Sequence, residues 1–194
     1  LDLDSELVFS GDAGTPERDS GGSFTTSGKS RRWGVDFETR YQMTRWLFAD
    51  YDLSWADPRF QNGDAIALAP TLLMNGGLTA ELGNGFSAAF RVRFLDDRPA
   101  IEDRSLTARG YVLLDLLAKY RWRNLEAGLA LLNLVDRDWR EAQFADNSCV
   151  RSELGRRVGC VDQPGRGGGP QPAPGIHFTP GNPFSVRAGM QVFF

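Results

Sequence analysis

The stretch RWGVDFETRYQM, Arg32 to Met43, decides the fold. Its odd positions are Trp33, Val35, Phe37, Thr39, Tyr41 and Met43; its even positions are Arg32, Gly34, Asp36, Glu38, Arg40 and Gln42. Wound as a helix, the segment would scatter charge around its whole circumference. At period two it separates an apolar face from a charged one, and the pattern predicts a β-strand.

The same separation recurs along the chain. Over 46–56, Leu47, Ala49, Tyr51, Leu53 and Trp55 alternate with Asp50, Asp52 and Ser54. Over 70–82, Leu72, Met74, Leu78, Ala80 and Leu82 oppose Thr71, Asn75, Thr79 and Glu81. Segments 86–95 and 111–122 repeat it, with Arg91, Arg93, Asp115, Lys119 and Arg121 on the polar side. Segment 124–135 is apolar on both faces apart from Glu126 and Asn133, which leaves its register open. With strands at 1–9 and 183–194, about eight strands are expected.

The connections alternate in length. Those at 11–30, 57–69, 96–109 and 137–182 are long and polar; those near 43–46, 83–85 and 122–124 are tight, and the middle one carries Gly-Asn-Gly, a hairpin signal. Long loops at one end and short turns at the other are the signature of a transmembrane β-barrel. About ten residues at roughly 3.3 Å each, tilted about 40°, span the hydrocarbon layer. The predicted fold is therefore all-β, an antiparallel up-and-down membrane barrel segment.

The side chains sort as that architecture requires. Tyr41, Phe86, Tyr120, Trp122 and Phe194 fall at the short-turn, periplasmic ends of the apolar faces; Trp33, Trp55 and Phe94 fall at the long-loop, extracellular ends. Two aromatic belts follow. The opposite face gathers Arg32, Asp36, Glu38, Arg40, Asp50, Asp52, Glu81, Arg91, Arg93, Asp115, Lys119, Arg121 and Arg187. Mixed charge at this density cannot form a dry core. It can line a wet or plugged lumen, and a one-residue slip would put each Arg or Lys in lipid at roughly 2–4 kcal/mol.

Composition bounds the rest. The chain has 194 residues, a net charge of -3 and mixed-sign charge, which does not point to a nucleic-acid partner. No apolar run reaches the length of a transmembrane helix. Cys149 and Cys160 share one polar, Gly- and Pro-rich segment, and a local disulfide in an oxidising compartment is the favoured reading over two free thiols. One histidine, His177, gives little ligand stock for a metal site, so neither a metal centre nor a cofactor is expected. A catalytic triad at His177 would need partners its loop does not show; an anchoring role at the entry to the last strand is favoured, and no catalytic residue is assigned. GRGGGPQPAPG, 165–175, lacks the Lys-Ser/Thr and the helix of a phosphate cradle and reads as a flexible linker. The chain opens on LDLDSELVFSG, already alternating, so it is expected to be a piece of something longer.

Three stretches carry a family resemblance: GVDFETRYQMTRWLFADYDLSWADPRF (34–60), LALLNLVDRDWREAQF (129–144) and GIHFTPGNPFSVRAGMQVFF (175–194). The chain resembles the C-terminal barrel segment of a TonB-dependent outer-membrane receptor over essentially its whole length. NLVDRDW, 133–139, is similar to that family's Asn-Leu-Phe-Asp-x-x-Tyr element, with Val135 and Trp139 in place of its aromatic residues. The resemblance implies a barrel of about twenty-two strands around a plug domain, of which residues 1–194 would be the C-terminal part, without the plug. It implies import of a scarce ligand such as a ferric siderophore across the outer membrane of a Gram-negative bacterium, with energy delivered by TonB through the missing N-terminal part. It implies no enzyme activity. Its partners would be lipid, lipopolysaccharide, the plug, TonB, an iron chelate and the barrel-assembly machinery, which would read Met190, Val192 and Phe194 as an assembly signal. No ligand-contacting residue can be named; the arginines of the last loop, Arg151, Arg156, Arg157 and Arg166, would suit an anionic chelate or a lipopolysaccharide-facing surface equally well. Two other readings are a complete eight-stranded barrel serving as an anchor or adhesion scaffold, and a soluble β-sheet binding protein. Pairing of the 1–9 strand with the last strand would select the small barrel.

Overall fold

A computed structural model describes residues 1–5, 7–9, 24–26, 28–151, 157–158, 160–161 and 171–194. These residues contain strands and no helix. Eight strands form one antiparallel sheet: β1 (Asp2–Leu3), β2 (Ser30–Gln42), β3 (Leu47–Phe60), β4 (Leu72–Glu81), β5 (Phe86–Leu95), β6 (Tyr111–Trp122), β7 (Leu125–Leu132) and, after two strands outside this sheet, β10 (Ser185–Val192). Spatial order follows the chain, β1-β2-β3-β4-β5-β6-β7-β10. The two outer strands do not pair with each other: β1 bonds β2 and β10 bonds β7. The sheet is an open arc, and the described residues do not close into a small barrel.

Turn chemistry explains the short ends. In the β2–β3 turn, Thr44 Oγ1 accepts from the backbone N–H groups of Trp46 and Leu47 at 3.3 and 3.0 Å. In the β4–β5 turn the positive φ angles fall on Gly83 (71°) and Gly85 (86°), while Asn84 Oδ1 accepts from Phe86 N–H at 3.2 Å. Asn84 is thus the cap and its flanking glycines provide the left-handed turns. Arg123, φ 53°, turns β6 into β7.

Two sequence expectations change at the other end. The last connection, read as a loop over 137–182, contains a hairpin of β8 (Arg140–Ser148) and β9 (Gln171–Pro180). Residues 171–175 of the expected Gly- and Pro-rich linker are therefore strand; 165–170 lie outside the described residues. β3 also runs on to Phe60, so 57–60 belong to the wall rather than to a loop. At the start of the chain, only Asp2–Leu3 joins the sheet; Leu7–Phe9 pairs instead with Phe24–Thr26.

The buried apolar residues lie mainly in the long connections: Ala65, Ile66, Ala67, Ala100, Ile101, Ala108 and Ala145, with Leu113 at the top of β6. Ala100, Ile101, Ala108 and Ala145 form one cluster, flanked by Leu68, Leu106 and Ile176. Three successive connections thereby pack into a cap along one rim. Backbone bonds join them: Leu68 N–H to the Pro99 carbonyl at 2.8 Å, and Ala65 N–H to the Glu102 carbonyl at 3.1 Å. Within the cap, burial pushes the Arg98 guanidinium pKa down, while bonds from Ser105 hold the Asp103 carboxyl below the usual range. Among the described residues, the wall below the cap has no second layer on either face.

Candidate functional site

Cross-strand register assigns every wall side chain to one of two faces, because residues directly opposite in an antiparallel pair point the same way. One face is apolar. Across it run Val35↔Trp55, Leu53↔Met74, Leu78↔Phe90, Leu116↔Phe90, Leu116↔Leu131 and Leu129↔Ala188. Trp33, Trp55 and Phe94 stand at its long-loop end, and Tyr41, Phe86, Tyr120 and Trp122 at its short-turn end. Trp33 and Trp55 meet edge to face, ring centroids 4.9 Å apart. Met190 is 75% exposed and Phe194 fully exposed just beyond the end of β10, so the last strand presents its apolar stripe uncovered.

No Asp, Glu, Lys or Arg interrupts this face between its aromatic rims. Its charges sit only at the long-loop margin, as the pairs Arg31–Asp2 (2.8 Å) and Arg59–Asp57 (2.7 Å). Sequence reasoning missed this margin because it placed 57–59 in a loop.

The other face holds all thirteen charged residues expected there, Arg32 through Arg187, and adds Glu126 opposite Arg121. Some are paired. Arg91 Nη1 donates to Asp50 Oδ1 at 2.6 Å, Arg93 Nη2 to Asp115 Oδ2 at 2.9 Å, and Ser54 to Asp36; Lys119 lies 3.5 Å from Glu126. Others stack on rings: Arg121 lies 4.5 Å from the centre of Phe193, and Arg40 lies 5.6 Å from that of Phe48.

The Asp50–Arg91 pair spans from β3 to β5 across the intervening β4, and the residue between them in register is Gly77. A Cβ on Gly77 would press on the Phe90 carbonyl oxygen and lie 3.1 Å from Arg91 Cδ. Gly128, on the same face, has nothing closer than 4.0 Å. We expect Gly77→Ala to lower stability by roughly 2 kcal/mol or more, read as a lower urea midpoint of the folded barrel. Gly128→Ala should leave the stability within about 0.5 kcal/mol of the parent and the midpoint nearly unmoved. Equal midpoints for the two variants would remove the close-approach argument.

At the long-loop end of the charged face, one network fastens the last strand. Asp115, nearly buried, accepts from Arg93 and, through Oδ1, from the Asn133 backbone N–H at 2.9 Å. Asn133 is 4% exposed with φ 53°. Its Nδ2 donates to the carbonyls of Arg137 (3.0 Å) and Asn182 (3.2 Å), and its Oδ1 accepts from Arg137 N–H at 3.0 Å. Asp136 Oδ1 accepts from Phe184 N–H at 2.8 Å, and Trp139 Nε1 donates to the Asn182 carbonyl at 2.9 Å. The NLVDRDW stretch is thus a clamp between the exit of β7 and the entry to β10. Beside it lies a cavity of about 230 Å³ lined by Arg93, Asn133, Trp139, Glu141, Asn182 and Arg187.

His177 is in β9, not at the mouth of the last strand, and stacks on Phe144 with ring centroids 5.5 Å apart. Cys149 is disulfide-bonded, and Cys160 is the only other cysteine of the chain. The side chains of Arg151, Arg156, Arg157 and Arg166 lie outside the described residues.

An open arc with one uncovered apolar face, one charged face and the described parts of the long connections on one rim defines a membrane-barrel wall. Residues 1–134 match the family described as TonB dependent receptor-like, beta-barrel. The chain belongs to that family. Its fold is similar to the ferric yersiniabactin uptake receptor FyuA from Yersinia pestis, at 13% identity and TM-score 0.61, covering 89% of this chain and 25% of that one. It is similar to the copper transporter OprC at 20% identity and TM-score 0.60, covering 90% and 25%. It is also similar to the siderophore receptor PiuA from Acinetobacter baumannii at 12% identity and TM-score 0.59, covering 97% and 24%. The chain spans about a quarter of the length of these structures. No curated protein sequence matches it.

Proposed function

We propose that residues 1–194 form the C-terminal part of a larger barrel, of about twenty-two strands around a plug, in the outer membrane of a Gram-negative bacterium. The whole protein acts as a TonB-dependent importer of a scarce ligand, with a ferric siderophore as the leading class, and not as an enzyme. The observation that carries this reading is the two-sidedness of the wall: an apolar face with no charge between its aromatic rims, backed by a face holding fourteen charged residues. Only a wall with lipid on one side and water or protein on the other accommodates both.

On this reading Trp33, Trp55 and Phe94 lie in the extracellular aromatic belt, and Tyr41, Phe86, Tyr120, Trp122 and Phe194 in the periplasmic belt. The charge pairs above Trp33 and Trp55 meet lipopolysaccharide. Cys149 bridges to Cys160 within the last extracellular connection. Met190, Val192 and Phe194 address the barrel-assembly machinery, and β10 pairs with a first strand contributed by the rest of the receptor. The packed cap is the outer rim past which ligand enters.

Uptake tests the reading. The full-length gene should be expressed in a Gram-negative host stripped of its own ferric-chelate receptors, and supplied with ferric catecholate and ferric hydroxamate chelates carrying radioactive iron. We expect accumulation of at least one chelate, abolished when TonB is deleted. Accumulation indifferent to TonB, or no accumulation with either chelate class by a correctly inserted receptor, would overturn the siderophore assignment.

A further inference from the structure

The apolar face is recessed near its short-turn end. Register sets three rows of side chains there. Nearest the rim run Phe86↔Tyr120↔Ala127↔Met190, next Ala88↔Ala118↔Leu129↔Ala188, and then Phe90↔Leu116↔Leu131↔Val186. The third row is bulky throughout. In the first, Ala127 leaves a gap between Tyr120 and Met190, and the gap leads inward to Ala118 and Ala188. The result is a groove of about 240 Å³, lined on this face by Phe86, Ala118, Tyr120, Ala127, Leu129 and Ala188.

A cation stands outside its mouth, in the β6–β7 turn. Strict alternation would send Arg123 to the charged face with Arg121. The positive φ of Arg123 breaks that alternation, and its guanidinium lies over the Trp122 ring, 5.2 Å from the centre. Trp122 belongs to the apolar face, opposite Leu125 and one row outside Ala127. Arg123 forms no ion pair among the described residues. The long-loop margin is different, since Arg31 and Arg59 are neutralised there by Asp2 and Asp57. The short turns, 43–46, 82–85 and 123–124, carry Arg45 and Arg123 and no Asp or Glu.

These features describe a ligand with two parts. Small side chains let a hydrocarbon chain lie close against the wall, as they do for partners packed within a membrane. An anionic head then falls at Arg123, with Trp122 between the two parts at the depth where indole rings settle. A second copy of this chain would share the same orientation in the membrane. It would bring its own Arg123 to the same depth and no carboxylate to meet the first. A water-soluble partner cannot enter at hydrocarbon depth.

We infer that the groove and Arg123 form a binding site for one anionic phospholipid of the periplasmic leaflet. Its phosphate accepts from the Arg123 guanidinium, and one acyl chain runs past Trp122 and over Ala127 to Ala118. This rests on the barrel reading above, which supplies the membrane.

The test titrates the delipidated full-length receptor in detergent with phosphatidylglycerol or with phosphatidylcholine of the same acyl chains. Native mass spectrometry counts the bound lipids, and heat-modifiable gel migration verifies each barrel. The first phosphatidylglycerol should bind the parent about fivefold more tightly than the first phosphatidylcholine, the effect of one arginine on a net negative head. Arg123→Asn, a change that respects the positive φ, should erase the preference. Arg45→Asn, in the β2–β3 turn, should preserve it. Ala118→Leu with Ala127→Leu fills the groove and should weaken both lipids about fivefold; if that barrel does not assemble, the two turn variants decide alone. Equal affinities in the parent, a preference that survives Arg123→Asn, or equal losses in Arg45→Asn and Arg123→Asn overturn the site. So does a receptor dimer that the groove-filling variant disperses, because a second copy then occupies the groove. Any of these results with TonB-dependent uptake intact removes the lipid site and leaves the receptor reading standing.

Discussion

Asn133→Ala releases the last strand from the wall. The substitution removes three side-chain hydrogen bonds, to Arg137 N–H, the Arg137 carbonyl and the Asn182 carbonyl. Asn182 keeps the bond from Trp139 Nε1, but Arg137 loses both its partners in this network. Arg137 and Asn182 are exposed, so water takes up the freed groups and each of the three lost bonds costs about 1 kcal/mol. Alanine must also hold φ near 53°, a conformation that Asn tolerates and Ala does not, at about 1 kcal/mol. The sum is about 4 kcal/mol, close to a thousandfold shift in the opening equilibrium of the clamp. We expect β10 amides, Met190 to Val192 among them, to lose hydrogen-exchange protection while β3 and β4 keep theirs. Among the described residues β10 pairs with β7 alone, and the clamp is its second attachment to this part of the wall. Exchange at Met190 to Val192 identical to that of the parent would mean that β7 pairing alone secures the strand.

How legible this architecture is in the sequence depends on which physical signal each part leaves. The wall leaves the strongest, since lipid on one side and charge on the other enforce strict alternation from Trp33 to Val192. β7 is the exception: LEAGLALL is apolar on both faces, and only pairing settles that Glu126 joins Arg121 while Leu125 joins Trp122. The β8–β9 hairpin left no usable signal. Its strands bury Gln143 and Ala145 and leave Phe144 more open, the reverse of what hydrophobicity predicts. Pro172, Pro174 and Pro180 further disguise β9 as a loop, since proline is ordinarily excluded from central strands. The cap is hidden for a related reason: its core is mostly alanine, five residues spread over three polar connections, with no periodicity to reveal it. The clamp at Asn133 was visible only through family resemblance, because an isolated Asn after an apolar run reads simply as a turn.

Leu116→Arg and Leu117→Arg, one residue apart on β6, should have opposite outcomes. Leu116 lies between Phe90 and Leu131 at mid-strand on the apolar face; Leu117 lies between Ala89 and Ala130 on the charged face. Neighbouring residues share backbone bonding, strand propensity and distance from both rims, so sequence context cancels from the comparison. What remains is the medium each side chain enters. An arginine at 116 would face hydrocarbon at a depth where the cost is about 2–4 kcal/mol, and it has no carboxylate beside it on that face. An arginine at 117 enters the face that already carries Arg91, Asp115 and Lys119, with small alanines on both sides to admit it. In the full-length receptor, we expect Leu116→Arg to cut the amount of heat-modifiable, outer-membrane-inserted protein by an order of magnitude or more. Leu117→Arg should insert close to parental levels. The soluble β-sheet reading gives the reverse ranking, because there a solvent-exposed Leu116 accepts charge without penalty. Equal insertion of the two variants would leave the apolar face without its lipid, and with it the barrel assignment would lose its main physical support.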